Sequence, residues 1–326
     1  MDSFIPPRFL RGRHVQSILG SVGPRRRMVR LAAQDLIAAS RDKILDCGEG
    51  VRLLCHLTPP QSERMKRVAV MIHGWEGSAG STYLLSAAAG LWDAGYRIVR
   101  INLRDHGDSH HLNRELFHSC RLSDAIGAVR RIQQMFPDER LYLSGFSLGG
   151  NFALRIAAQA MEEDLKIQGV AAVCPVLDPA CTLAAMDNGL FIYRQYFIRK
   201  WRMSLEKKKA AFPDYFNFSQ LERFETLTEM TDYFVRHYTE YPDLQEYLRG
   251  YALTDGRLRN LRIPARVLLA EDDPVIPVAD VDRVAKSDCL QIIRSRYGGH
   301  CGFIGGYDLR GRAESYIADS FSACSK

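Results

Sequence analysis

Gly145-Phe146-Ser147-Leu148-Gly149 is the part of this 326-residue chain best suited to covalent chemistry. A serine hydroxyl is a weak nucleophile until a base takes its proton, and it must stand clear of the backbone to reach a substrate. A sharp turn from a buried strand into a helix meets the second need. The strain of that turn is tolerable when the residues at minus two and plus two lack a Cβ, so that strand and helix can approach closely. The flanks have this form. Arg140 to Gly145 (RLYLSG) reads as a short buried strand, and Asn151 to Met161 (NFALRIAAQAM) has the apolar spacing of a helix. Gly150 adds a third small residue, and the implied chemistry is acyl transfer through a serine.

Such a serine requires a base, an acid that orients the base, and donors for the developing oxyanion. His300 supplies the base from a glycine-rich loop, Tyr297-Gly-Gly-His-Cys-Gly-Phe303, between an apolar run and a terminal helix. Three acids, Glu271, Asp272 and Asp273, follow the strand Ala265 to Leu269, and Asp178 follows another strand end. Asp273 has the preferred register, three residues after Ala270 and just before Pro274, with Asp178 as the alternative. The 27 residues from Asp273 to His300 suffice for a loop, a helix (Val278 to Lys286) and a strand (Leu290 to Ile293), so acid and base reach adjacent loops. For the oxyanion, strand Arg67 to Ile72 runs into His73-Gly74-Trp75-Glu76-Gly77-Ser78, which aims the Trp75 N–H beside that of Leu148.

The elements needed to hold these residues alternate as strand and helix, the pattern of a mostly parallel sheet covered on both faces. Strands are expected near residues 67–72, 97–103, 140–145, 169–174, 265–269 and 290–293, with helices at 81–93, 122–135 and 151–161. Before them come an extended arm (1–23) and an antiparallel edge near 28–33, 43–45 and 52–57. Between 178 and 261 the rhythm breaks, and the pattern becomes helical and aromatic: sixteen of the 32 aromatic residues fall between Phe191 and Tyr251. The expected organisation is therefore a catalytic domain (1–177 and 262–326) with a helical cap inserted at 178–261, some of whose rings wall an apolar acyl site.

These motifs resemble the YheT-like subgroup of the α/β-hydrolases. The opening Pro-Pro-Arg-Phe-Leu-Arg-Gly-Arg-His14-Val-Gln16-Ser17, the turn His73-Gly-Trp-Glu-Gly-Ser78, the extended elbow Gly145 to Asn151, Asn102-Leu-Arg104, His118-Ser119 and the Asp-Asp-Pro loop carry the likeness, from about residue 5 to about 305. Ser17 stands where threonine is usual, Trp75 where an aliphatic residue is frequent, and Asp105-His106 where Gly-x is commoner. The resemblance implies an α/β-hydrolase fold and a triad of Ser147, Asp273 and His300. It also implies esters or lipid-like small molecules as substrates, with acyl transfer to an alcohol as the alternative reaction. A non-catalytic binding protein would lack a triad member, and all three are present here.

The cluster His106, His110, His111 and His118 invites a metal, but its spacing fits no two-histidine helical motif, so no metal and no organic cofactor is expected. The net charge of +6 gathers at Arg25-Arg26-Arg27, at Arg199-Lys200-Trp201-Arg202 and at Lys207-Lys208-Lys209. These runs read as solvated faces, with attraction of anionic substrates or peripheral contact with a membrane surface as the functional alternative; no nucleic-acid module accompanies them. The eight cysteines form no regular framework, no run is long and apolar enough to span a bilayer, and the start lacks a signal peptide's pattern. A cytoplasmic enzyme is the expectation, with Cys301 notable for following His300 directly.

Overall fold

The computed structural model describes residues 4–324 apart from 63, 255, 308 and 310. Eight strands form one sheet: β1 (Arg41–Asp46), β2 (Arg52–Thr58), β3 (Arg67–Ile72), β4 (Arg97–Ile101), β5 (Arg140–Phe146), β6 (Ile167–Val173), β7 (Ala265–Ala270) and β8 (Leu290–Ser295). Their order across the sheet is β1-β2-β4-β3-β5-β6-β7-β8, with β2 antiparallel to both neighbours and every other pairing parallel. Central strands of such a sheet are covered on both faces, which is why β3 and β5 read as nearly unbroken apolar runs and are buried along their length.

Helices α4 (Thr82–Asp93) and α11 (Arg312–Ala323) pack together, and α5 (Leu122–Met135) packs with α6 (Leu148–Ala158), which lies on β5 and β6. Between β6 and β7 the chain inserts α7 (Pro179–Asn188), α8 (Phe191–Ala211), α9 (Leu227–Tyr238) and α10 (Leu244–Gly250). Local chemistry starts several of these. Asp178 accepts from the Ala180 and Cys181 N–H groups at the head of α7, and Thr226 with Glu229 forms a capping box on α9.

The N-terminal region differs from the extended arm and first edge strand expected for it. Residues 13–21 are helix α1 (Arg13–Ser21), followed by α2 (Pro24–Ala32) and α3 (Gln34–Ala39). The spacing of inward residues explains the change: Arg25, Val29 and Ala33 stand four apart and are all buried, a helical period that the alternation in Met28 to Ala33 conceals. Pro24 occupies the first turn of α2, where its missing N–H costs nothing. The helix expected at 278–286 is a short 3-10 turn, Val278–Arg283.

Two of the basic runs are also less solvated than their composition suggests. Arg25 lies buried, donating to the Gly20 and Leu309 carbonyls and pairing with Glu314 at 2.8 Å. Lys208 is fully buried and pairs with Asp105 at 2.7 Å, which ties α8 to the loop after β4. Its remaining donors meet the carbonyls of Asn113 and Glu115, as a buried ammonium requires.

Candidate active site

Ser147 sits between β5 and α6 with φ 53° and ψ −121°, a conformation that few non-glycine residues adopt. The turn is possible because of the glycines around it. A Cβ on Gly145 would overlap the Gly149 carbonyl, and one on Gly149 would overlap the Ile72 and His73 carbonyls. The two glycines therefore let helix, strand and neighbouring turn meet at this point, and the serine side chain is directed off the end of the sheet.

His300 meets it there. Its Nε2 lies 3.0 Å from Ser147 Oγ, and its Nδ1 lies 2.9 Å from Asp273 Oδ2. A carboxylate only accepts, so Nδ1 carries the proton and Nε2 is left to accept from the hydroxyl. Asp273 is itself fixed: its Oδ1 accepts from the Val275 and Ile276 N–H groups at 2.8 and 3.0 Å. Burial disfavours a charged imidazole, but the Asp273 carboxylate beside it, with Cys301, lifts the His300 pKa well above its ordinary value.

The competing acids are occupied elsewhere. Asp272 Oδ1 accepts from Gly299 N at 2.8 Å and so braces the histidine loop without reaching the imidazole. Asp178 caps α7 and pairs with Arg283 at 2.8 Å.

The turn after β3 lies against the serine, with Gly74 so close that a Cβ there would stand 3.1 Å from Ser147 Cβ. Trp75 N–H and Leu148 N–H have no acceptor among the described residues, and both residues line the cavity above Ser147. Leu148 opens α6, where a first-turn N–H is unpaired and the helix dipole favours negative charge. The Trp75 indole turns onto the inserted helices, stacking on Phe197 at 5.5 Å and meeting Trp201 edge-on at 5.3 Å.

The turn is held by residues inside and outside its motif. Gly74 N–H donates to Tyr83 Oη at 2.9 Å, and Glu76 N–H donates to His106 Nε2 at 3.2 Å. His73 donates from Nδ1 to the Gly74 carbonyl and accepts from Leu103 N–H. Burial drives His106 down to about 4, so both imidazoles act as neutral struts. Lys200 of α8 donates to the Glu76 carbonyl at 3.0 Å, joining the turn to the inserted helices.

The histidine loop is held from the other end of the chain. His300 N–H donates to Ser17 Oγ at 2.8 Å, and Ser17 in turn donates to the Arg13 carbonyl. Gln16, fully buried, takes Ile304 on both sides: Ile304 N–H donates to Oε1 at 2.7 Å, and Nε2 donates to the Ile304 carbonyl at 3.1 Å. The resemblance had flagged His14, Gln16 and Ser17 without assigning them roles. His14 itself reaches Tyr193 of α8, with Nδ1 3.1 Å from the phenol oxygen.

The four histidines of 106–118 are not assembled as a metal site: His106 contacts Glu76 and Arg104, while His110 contacts Ser204. Among the described residues the group suited to a soft metal is Cys174, His300 and Cys301, whose ligand atoms lie within 4.8 Å of one another. Both nitrogens of His300 are already engaged by Asp273 and Ser147, so a metal there would have to displace one of them. All eight cysteines are free thiols.

Above Ser147 lies a cavity of about 560 Å³, within the range of small-ligand sites. Phe197, Trp201, Phe234, Tyr251, Leu183 and Met186 of the inserted segment form much of its wall. Glu76 also lines it, and burial raises this carboxyl to about 8 against the pull of Lys200. No helix among the described residues is long and apolar enough to cross a membrane.

Sequence and structure comparisons agree with this architecture. The family described as the alpha/beta hydrolase fold matches residues 68–307. The chain is 27% identical over 313 residues to YheT of Escherichia coli (strain K12), covering 93% of this chain and 87% of that one. It is 22% identical over 269 residues to protein abhd-3.2 of Caenorhabditis elegans, covering 80% and 71%. Among solved structures, the esterase Pf2001 of Pyrococcus furiosus superposes with a TM-score of 0.57 at 14% identity, covering 97% of this chain and 100% of that one. With the family matching most of its length, the chain belongs to the α/β-hydrolase fold family.

Proposed function

We propose that the protein is a serine hydrolase of carboxylic esters, with Ser147 as nucleophile, His300 as general base and then acid, and Asp273 as the orienting carboxylate. The observation that carries this reading is the unbroken contact from Asp273 through His300 to a serine in a strained turn. Ser147 Oγ attacks the ester carbonyl carbon while its proton passes to His300 Nε2. The oxyanion that forms faces the free N–H groups of Trp75 and Leu148. His300 returns the proton to the departing alkoxide, leaving an acyl-serine. Water then attacks with His300 again as base, and the acid and free serine are released. The relative YheT of Escherichia coli, which is named an esterase, supports the same reaction class.

In this reading the helices of residues 178–261 are a cap, and its rings with Leu183 and Met186 wall the acyl site. The Trp75 indole, drawn onto Phe197 and Trp201, belongs to that wall. Each methylene buried adds about 0.8 kcal/mol until the space is filled. On p-nitrophenyl esters, kcat/KM should therefore rise from acetyl to about butyryl or hexanoyl and then fall. A steady preference for acetyl would overturn the acyl-site assignment. The same panel run with an added alcohol distinguishes hydrolysis from transfer: a new ester in place of free acid would assign the protein as an acyltransferase.

A further inference from the structure

Helix α1 is turned inside out for a protein facing only water. Its polar residues Gln16 and Ser17 are buried against the histidine loop, while Val15, Ile18 and Val22 face solvent. Surface helices ordinarily bury the apolar stripe and expose the polar one. The reversal is part of a larger concentration. Of the eighteen exposed large apolar side chains among the described residues, eight lie between Ile5 and Ile37 and five between Leu190 and Met203. At the start of α8, Phe191 and Ile192 are 65% and 62% exposed, directly after Leu190 at 46%.

The two stretches meet. His14 of α1 touches Tyr193 of α8, and the cavity above Ser147 is lined both by Ser21 and Val22 at the end of α1 and by Tyr196 and Met203 of α8. Since Val22, Tyr196 and Met203 are exposed as well, this is where the cavity opens. Scattered single apolar residues on a surface need no explanation, whereas a concentration around a cavity mouth marks an interaction site.

Charge identifies the occupant. Arg13, Arg26, Arg27 and Arg30 stand exposed on α1 and α2, and Arg199 on α8. Two copies of this chain meeting through the face would bring like charges together. An anionic bilayer answers both features, because it attracts the arginines and accepts an apolar helix face about 5–10 Å into the headgroup boundary. We infer that the outward faces of α1, α2 and the start of α8 form a docking surface for an anionic lipid membrane, with the cavity mouth presented to the bilayer. This inference goes beyond the proposed reaction and does not depend on it.

The test is co-sedimentation of the full chain, carrying Ser147→Ala so that no turnover is involved. The vesicles are phosphatidylcholine alone or phosphatidylcholine mixed with phosphatidylserine. Binding is expected on the mixed vesicles, weakened by salt, and weaker on phosphatidylcholine alone. The triple substitution Ile18→Ser, Phe191→Ser, Ile192→Ser should cut it at least about tenfold, from the apolar area withdrawn. Arg27→Gln and Arg30→Gln should each cost about fivefold. None of these residues lines the cavity. In the Ser147 background they should therefore leave hydrolysis of a soluble ester and the thermal midpoint unchanged, which separates lost docking from misfolding. Three results would overturn the inference: no binding to either vesicle, binding that is indifferent to headgroup charge and salt, or binding that survives the substitutions. A dimer in sedimentation velocity, dispersed by the same substitutions in a protein that ignores vesicles, would assign the face to a second copy and overturn it equally.

Discussion

Ser147 is held by its neighbours in the chain and by the strands on either side of it, whereas His300 is held by a helix 283 residues away. At the elbow, Gly145 and Gly149 sit two residues to each side, and the atoms a side chain there would strike belong to the elbow itself or to the end of β3. The geometry is thus built into a pentapeptide and one adjoining strand. The histidine loop closes its own turn, with the Gly302 and Phe303 N–H groups donating to the Gly298 carbonyl, but its place against the serine is set from elsewhere. Gly299 and Gly302 let it lie against the backbone of α1, Gln16 fastens Ile304, Ser17 holds the His300 N–H, and Asp272 holds Gly299 from β7's end. A nucleophile can be specified by a short motif, since its strain is local. The base is positioned only when the two ends of the chain have closed on each other.

This contrast is sharpened first at the acid, where the largest effect among the supporting residues is expected. Asp273→Asn leaves a side chain of the same shape but favours the wrong imidazole tautomer, so kcat should fall on the order of 10⁴-fold. Asp272→Asn should cost less than about tenfold, because an amide oxygen still accepts from Gly299 N–H. Asp178→Asn should also spare kcat and barely move the thermal midpoint, because the amide oxygen can still cap α7 and only the half-exposed ion pair with Arg283 is lost. Steady-state kinetics on the three variants checks the order, and a greater loss at Asp272 or Asp178 than at Asp273 would reverse the assignment.

Breaking the remote support should come next. Gln16→Ala removes three buried hydrogen bonds, to Leu10, to the Ile304 carbonyl and from the Ile304 N–H. At about 1 kcal/mol net each, stability should fall by roughly 3 kcal/mol. With the loop displaced by something like an ångström, kcat should fall about 10²-fold with little change in KM. Chemical denaturation and kinetics on the same preparation read both. An unaltered kcat would mean that the loop holds itself.

The smallest effect concerns pH. His300 must be neutral to take the serine proton, and Asp273 stabilises its cation, so the acid limb of kcat/KM should lie above the ordinary histidine value of 6.5. Activity rises as pH climbs through that limb. Replacing Asp273 with Asn removes the stabilising charge and should move the residual limb downward. A wild-type limb at or below 6.5 would contradict the electrostatic account of the pair.

The parts of this site that could be read in advance are those whose constraint is local. The elbow, the strands around it, the acid register at Asp273 and the glycine loop of His300 each announce themselves through small residues or apolar runs beside a polar one. The N-terminal helices did not. Their inward residues are Gln16, Ser17 and Arg25, and a polar residue facing inward looks like a surface residue until its partners are known. Lys208 misled for the same reason, its lysine run concealing one ammonium bound for Asp105. His106 as a prop for the turn after β3 was equally hidden, since nothing within its own loop points to the Glu76 N–H.

The central claim is that Ser147 is an activated nucleophile, and its most direct test is covalent. A fluorophosphonate reacts quickly only with a serine whose proton a nearby base removes. The account predicts one modified site per chain, at the peptide that contains Ser147, by mass spectrometry of the labelled protein. Labelling should vanish in Ser147→Ala, whose turnover should fall at least about a thousandfold while the thermal midpoint holds. Persistent labelling in that variant, or none in the unaltered protein, would contradict it.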